Sequence, residues 1–116
     1  MSYLEVAVSP VPTENRERYV EVAEAAAAVF KKHGALSITE NWGDDVPEGK
    51  QTDYHRAVAK KDGETIVIST ILWPSKEVRD AAWPKVMEDP AMGAHDGLFD
   101  MSRMIFGGFV PIVSVS

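Results

Sequence analysis

The chain contains 116 residues, of which 45% are hydrophobic and 26% charged, and its formal charge at pH 7 is −6. These values predict one globular domain over residues 1–116, while the acidic balance without clustered Lys or Arg argues against nucleic-acid binding. The absence of cysteine excludes disulfides, Fe–S clusters and thiolate zinc sites.

The chain begins with a predicted strand and helix. Residues 3–9 alternate between apolar and mixed side chains, which is typical of a strand, and Pro10 and Pro12 should end it. Thr13 is a favourable N-cap residue, and a helix with one apolar stripe should follow to about His33. This helix can cover one face of a sheet.

The middle of the chain predicts three more strands. Residues 35–42 alternate again, and residues 43–50 carry glycine, proline and aspartate at the density of a surface loop. Residues 54–60 predict a short strand, joined through an Asp-Gly turn at residues 61–64 to the strand over residues 65–73. The middle pair should therefore form a hairpin.

The strand over residues 65–73 is rich in β-branched and apolar side chains. Alternation places them on both sides: Ile66, Ile68 and Leu72 on one, and Val67, Ile71 and Trp73 on the other. Both faces of this strand require burial. Two helices can cover only one face of the sheet, so the second face needs a partner, and we expect a second copy of the chain.

A second helix should begin after Ser75, its predicted N-cap, and end at Asp89. Pro84 lies inside it and cannot donate a backbone hydrogen bond, which predicts a kink or break near Trp83. A final strand, apolar on both faces, is predicted over residues 99–115. Its central glycines, Gly107 and Gly108, indicate a bulge or a close backbone contact.

When the predicted hairpin is counted as one sheet element, the order of the elements reduces to βαββαβ. This order predicts an α+β, ferredoxin-like fold with both helices on one face of an antiparallel sheet. The other face would carry more apolar surface than a soluble monomer normally presents. We expect it to include several of Trp42, Tyr54, Ile71, Trp73, Phe106 and Phe109. Packing of two such sheets face to face predicts a homodimer.

Three motifs make the chain similar to a known family. Gly-Asp-Asp-Val-Pro at residues 43–47, Trp-Pro-Ser at 73–75 followed by Val-Arg-Asp-Ala-Ala at 78–82, and Arg-Met-Ile-Phe-Gly-Gly-Phe at 103–109 resemble the YbaA-like small bacterial proteins, a family of unknown function. The resemblance covers nearly the whole chain and implies a dimeric α+β barrel. That superfamily includes cofactor-free monooxygenases, isomerases, haem enzymes and proteins without known activity, so it implies no catalytic residue.

The histidines give little support to a metal site. His33, His55 and His95 are not spaced three or four residues apart, as two ligands on one helix face would be, and no cysteine completes a set. His33 suits the negative end of the first helix, and His95 lies in a glycine-flanked loop. His55 lies on a predicted strand, where it could act in ligand binding or proton transfer, or be an ordinary surface histidine. We expect no metal and no cofactor.

A small-molecule site is one interpretation of the large side chains at predicted strand positions. Aromatic rings with a cation can line an apolar pocket with a polar anchor, and the candidates are Trp42, Tyr54, His55, Trp73 and Arg103. The alternative is that they form the dimer core, where aromatic residues and arginine are also enriched. Glu5 and Asp100 are possible partners of Arg103.

Three functions remain open at this stage. The first is a homodimer that binds a small apolar molecule between its sheets, and the second is a cofactor-independent monooxygenase- or isomerase-like enzyme that uses the same space. The third is a structural dimer with a filled interface. No apolar run approaches the roughly 20 residues that span a bilayer, and the first residues lack a signal-peptide pattern. We expect a cytoplasmic protein that does not contact membranes.

Overall fold

A computed structural model describes residues 1–92 and 97–116. Within these residues the sheet has four antiparallel strands in the order β2-β3-β1-β4, which is the ferredoxin-like arrangement. The strands are β1 (Tyr3–Pro12), β2 (Ser37–Trp42), β3 (Glu64–Trp73) and β4 (Ile105–Phe109), and the helices are α1 (Arg16–Lys32), α2 (Tyr54–Ala57) and α3 (Lys76–Glu88). Short 3-10 turns occupy Thr13–Asn15, Pro90–Met92 and Met101–Arg103. The predicted fold class is confirmed.

Strand register divides the side chains between two faces. Residues that pair directly across antiparallel strands share a face, and β1 pairs with β3 from Tyr3 opposite Trp73 to Pro12 opposite Glu64. We call the side covered by α1 and α3 the helix face. The opposite side, the free face, carries Leu4, Val6, Val8, Pro10, Pro12, Ser37, Thr39, Asn41, Glu64, Ile66, Ile68, Thr70, Leu72, Ile105, Gly107 and Phe109.

The main core lies between the helix face and the two long helices. Phe30 of α1 makes edge-to-face contacts with Trp73 of β3 and Trp83 of α3, with ring centroids 6.2 and 5.2 Å apart. Trp73 is completely buried, as is Val86 of α3. A second cluster packs Tyr19 of α1 against Val11, Val67 and Leu98.

The register corrects our assignment of residues to the face without helices. Trp42, Ile71, Trp73 and Phe106 belong to the helix face by register, and only Phe109 of the expected sheet residues lies on the free face. Alternation separates the two sides of a strand but does not say which side the helices cover. The large aromatic side chains of β2 and β3 therefore pack inside the protomer.

The predicted strand at residues 54–60 is wrong, because its first four residues form α2. Asp53 caps this short helix: its Oδ1 accepts the Arg56 amide at 2.8 Å and its Oδ2 accepts the Gly49 amide at 3.1 Å. Val58, just after the helix, is buried against Val8 and Ile66 at one end of the free face. The segment therefore packs on one end of the free face and does not form a strand of a hairpin.

The prolines lie inside the elements that they were expected to end or break: β1 runs past Ser9 and ends at Pro12, and α3 contains Pro84. Pro10 and Pro12 stay in β1 and pair with β3. Because β4 pairs only with residues up to Val8, both proline nitrogens can face the open side of β1. Pro84 lies inside α3, which continues to Glu88, so the predicted break is absent. Pro84 is solvent-exposed, and water can satisfy the carbonyl left without a donor.

Smaller differences concern the element ends. Thr13 begins a 3-10 turn and bonds through its hydroxyl to Thr65 at 2.6 Å, and α1 starts three residues later. Gly34 follows α1 with φ +110°, a value that favours glycine. Ser75 caps α3 as predicted, with its Oγ accepting the Val78 amide at 3.1 Å. The last strand is confined to Ile105–Phe109.

Candidate functional site

The free face of the sheet is a largely apolar surface. At one end, Val8 and Ile66 are buried under Val58. Elsewhere the side chains are partly or largely exposed: Leu4, Val6, Ile68 and Leu72 have intermediate exposure, whereas Ile105 and Phe109 are 44% and 55% exposed. Soluble monomers rarely expose apolar surface of this kind on a sheet, so the free face is the candidate site.

A small polar group interrupts this surface on β2 and β3. The hydroxyls of Thr39 and Thr70, which face each other across the strands, are hydrogen-bonded. The Asn41 amide nitrogen donates to Thr39 Oγ1 at 3.0 Å and to the Ile68 carbonyl at 2.9 Å. We call Thr39, Asn41 and Thr70 the polar trio. These two contacts use only the amide nitrogen of Asn41, so its oxygen can accept a hydrogen bond from a bound molecule.

On the helix face, Glu5 of β1 is the centre of a second polar group. Its Oε1 accepts the indole N–H of Trp73 at 2.8 Å and that of Trp83 at 2.6 Å, and Arg79 Nη1 lies 3.5 Å from its Oε2. Arg79 also stacks over the Tyr3 ring, 4.9 Å from the centroid. The carboxylate thereby ties β1, β3 and α3 together.

A third polar group connects α1 to the sheet. Glu40 Oε1 accepts hydrogen bonds from Tyr19 and from Ser69, both at 2.6 Å. Burial, together with the charge of Glu40, raises the pKa of Tyr19 above its usual value. Tyr19 therefore stays protonated and acts as a hydrogen-bond donor at neutral pH.

The predicted aromatic and histidine candidates lie in separate places. Trp42 is on the helix face with the Arg16 guanidinium 5.5 Å from its ring centroid, and Trp73 is part of the core described above. Tyr54 is 52% exposed on α2. His55, on the same helix, donates from Nε2 to the Val46 carbonyl at 2.8 Å, which fixes the loop that covers the free face.

Arg103, the last residue of the 3-10 turn before β4, is held by two carboxylates. It donates to both Glu64 oxygens at 2.7 and 2.6 Å, to Asp100 at 2.9 Å and to the Ala59 carbonyl at 2.9 Å. Hydrogen bonds from Arg103 lower the pKa of Glu64, and hydrogen bonds from Ser102 and Arg103 lower the pKa of Asp100 to about 2. The expected Asp100 partner is present, whereas Glu5 pairs with Arg79 instead.

Other features within the described residues offer no alternative site of comparable chemistry. An open depression of about 350 Å³ lies between the end of α1 and α3, lined partly by Lys32, His33 and Lys85. No three His, Asp or Glu side chains of the described ranges gather as metal ligands, and every buried polar side-chain atom there has a partner. None of the helices in this part of the chain is long and apolar enough to cross a membrane. His95 lies outside the described residues.

Sequence reasoning missed both the polar trio and the Glu5 group. The alternation of residues 35–42 already placed Thr39 and Asn41 on one face, but their cross-strand neighbour Thr70 depends on the β2–β3 register. Glu5 offered no local signal, because its partners Trp73 and Trp83 are 68 and 78 residues away.

Comparison with known proteins gives one family and several similar folds. Residues 2–106 match the family described as "Protein of unknown function (DUF1428)". The chain is 47% identical over 115 residues to "Uncharacterized protein YbaA" of Escherichia coli (strain K12), covering 97% of this chain and 98% of that protein.

Two solved structures show the same fold at low sequence identity. SnoaB, described as a cofactor-independent oxygenase from Streptomyces nogalater, has a TM-score of 0.59 at 16% identity, covering 98% of this chain and 96% of its own. A "dimeric ferredoxin-like protein" from an uncultured marine organism has a TM-score of 0.61 at 11% identity, with 98% of both chains covered.

Proposed function

The chain belongs to the DUF1428 family of unknown function, and from that premise we propose that it is a homodimer whose two sheets enclose a binding space for a small, mainly apolar molecule. The observation that carries the proposal is the free face, a largely apolar sheet surface with the polar trio on one side. This deepens the first of the three functions that the sequence left open.

The choice of a second copy as the partner rests on the composition of the free face. Its apolar side chains on β1, β3 and β4 form one continuous patch, with Phe109 and Ile105 more than 40% exposed. By register the charged residue Glu64 lies at the end of this face, where Arg103 pairs with it. The apolar patch beyond it is uncharged and can match a copy of itself, as a two-fold interface requires. The fold neighbour described as a dimeric ferredoxin-like protein supports this arrangement.

The polar trio supports a ligand in addition to a dimer contact. Binding sites for small molecules combine an apolar lining with a few placed polar groups. The trio presents two hydroxyls and an amide oxygen near one edge of the apolar patch. A ligand with an apolar body and one hydroxyl or N–H donor fits this combination.

A second candidate function is a cofactor-independent monooxygenase or isomerase working in the same space. The observation in its favour is a hydrogen bond of His55: Nε2 donates to the Val46 carbonyl at 2.8 Å, so in a neutral ring Nδ1 is unprotonated, as a general base requires. The likeness to SnoaB supports testing this chemistry. Turnover of a bound phenol-like compound with oxygen, if it is lost in His55→Gln, would distinguish a monooxygenase from a protein that only binds the compound.

The dimer is tested with a charge placed on the free face. Val6 of β1 should be replaced by Arg, and Val20, which is 45% exposed on α1, by Arg as the matched control. An unpaired charge in an interface costs several kcal/mol, so we expect Val6→Arg to weaken dimerisation by at least about 100-fold and Val20→Arg to leave it unchanged.

Light scattering over a concentration series measures the dimerisation, and circular dichroism shows whether each variant is folded. Ile68→Arg on β3 serves as a second variant if Val6→Arg does not fold. A wild-type protein that stays monomeric at high concentration, or a folded Val6→Arg dimer as tight as the wild type, contradicts the proposal.

The ligand is tested separately by native mass spectrometry and by fluorescence of anilinonaphthalene sulfonate. Thr70→Val removes one hydroxyl of the polar trio, and Thr52→Val removes an exposed hydroxyl in the loop. We expect Thr70→Val to lower affinity for hydroxyl-bearing apolar compounds by about tenfold, the value of one lost hydrogen bond. Equal affinity of both variants and the wild type contradicts the role of the trio.

A further inference from the structure

The residues after β4 form an exposed apolar segment, which we call the tail (residues 110–116). Ile112, Val113 and Val115 are 92%, 80% and 91% exposed. Four of the seven residues are β-branched and apolar, which favours a strand. From Val113 onwards valine alternates with serine, the pattern of a strand with one buried and one solvated side.

The register of the sheet carries the tail beyond the start of β1. Leu4 of β1 pairs with Phe109 and Val8 with Ile105, so each step along β4 moves one step back along β1. Val110 would lie opposite Tyr3, where β1 begins. The tail therefore runs past the start of β1, and β1 of the same protomer offers it no strand to pair with beyond Tyr3.

We propose that the tail docks on the outer edge of β2 in the second copy of the dimer, as an added strand. This inference rests on the proposed homodimer. The strand order leaves β2 and β4 at the edges of the sheet, and an edge strand presents unpaired N–H and C=O groups that a further strand can bind. β2 has six residues without Gly or Pro, whereas β4 has two adjacent glycines, which weaken a strand.

The proposed position has a consequence for the binding space. Thr39 and Asn41 of the polar trio are on β2, so a tail strand along that edge lies directly beside them. Val113 and Val115 would face the interior, while Ser114 and Ser116 would face solvent. Each protomer would thus close one side of the space in which its partner holds a ligand.

The chain contains no cysteine, so engineered disulfides test this geometry without background. The test variant carries Thr39→Cys with Val113→Cys, and a second variant carries Ser37→Cys with Val113→Cys to allow for a different register. The control carries Glu21→Cys, on the exposed side of α1, with Val113→Cys. A disulfide requires Cα atoms about 4.4–6.8 Å apart, and a non-reducing gel separates links between chains from links within one.

We expect a covalent dimer from at least one β2 variant and little from the Glu21 control. A light-scattering dimer that forms no β2-to-tail link overturns the docking but leaves the sheet-to-sheet dimer in place. A link within one chain, or equal linking by the Glu21 control, overturns it as well. A protein that is monomeric in solution overturns the proposed homodimer and the tail position together.

Substitutions in the tail provide an independent measurement. Val115→Asp places a charge on the side of the tail that we assign to the interior, and Ser114→Asp places the same charge on the solvated side. We expect Val115→Asp to raise the dimer Kd by about 100-fold and Ser114→Asp to change it by less than about threefold. Equal effects of the two substitutions contradict the assigned orientation.

Discussion

The carboxylate of Glu5 should be a main stabilising element of the protomer. It accepts two indole N–H groups at 2.8 and 2.6 Å and lies near one Arg79 nitrogen. Replacing it with Leu keeps the side-chain size but removes every acceptor. Trp73 is completely buried, so its indole N–H would lose its partner without gaining water, whereas Arg79 keeps Asp80 at 2.8 Å.

The magnitude follows from these contacts. A hydrogen bond to a charged group contributes about 1.5–3 kcal/mol, and a buried donor left unsatisfied costs about 1–3 kcal/mol. Relief of the partly buried charge offsets part of the loss, so we expect Glu5→Leu to lower the free energy of unfolding by about 3 kcal/mol. Glu5→Gln keeps one neutral acceptor and should cost about 1 kcal/mol.

Denaturant unfolding followed by tryptophan fluorescence measures both variants, and thermal unfolding should show Glu5→Leu about 10 °C below the wild type. Glu21→Leu and Glu21→Gln, on the exposed side of α1, are the matched controls and should change stability by less than about 0.5 kcal/mol. If Glu5→Leu is as stable as its Glu21 counterpart, the carboxylate does not anchor the two indoles and the reasoning fails.

Two further predictions concern β4 and the segment before it. A Cβ on Gly108 would lie 2.1 Å from the Tyr3 hydroxyl, whereas one on Gly107 would meet nothing closer than 3.4 Å. We therefore expect Gly108→Ala to lower the free energy of unfolding by about 1–3 kcal/mol and Gly107→Ala to lower it by much less. Denaturant unfolding of the two variants measures the difference. Hydrogen bonds from Ser102 and then Arg103 lower the pKa of Asp100 from 3.8 to about 2, so folding stability should fall as the pH drops from about 4 towards 2. Asp100→Asn should flatten that acid slope in unfolding curves measured across this range, and an unchanged slope would show that Asp100 does not contribute to it.

The two sides of the sheet suit different roles. On the helix face, polar atoms such as the Glu5 carboxylate and the Tyr19 hydroxyl are held by short hydrogen bonds among aromatic side chains. On the free face, partly exposed apolar side chains surround two threonine hydroxyls that bond to each other and to Asn41. The first arrangement stabilises a protomer, and the second leaves groups available to a ligand or partner.

Local patterns in the sequence were sufficient for the order and type of most elements. Apolar periodicity predicted both long helices and the strands β1, β2 and β3, because the repeat of about 3.6 or 2 residues is a property of neighbouring side chains alone. Caps followed the same logic: Ser75 accepts the Val78 amide, and Gly34 adopts a positive φ. The two adjacent glycines of the last strand also predicted the close contact found between Gly108 and Tyr3.

What the sequence alone determined was therefore a βαββαβ chain with one strand apolar on both sides, since propensity and alternation act within a few residues. Only the tertiary structure decided which side of that strand the helices cover, placing Trp73 in the core and Thr70 on the free face. Only it brought Glu5 to indoles about 70 residues away, and turned the expected strand around His55 into a capped helix. These outcomes depend on register and on contacts between distant segments, which no local pattern encodes.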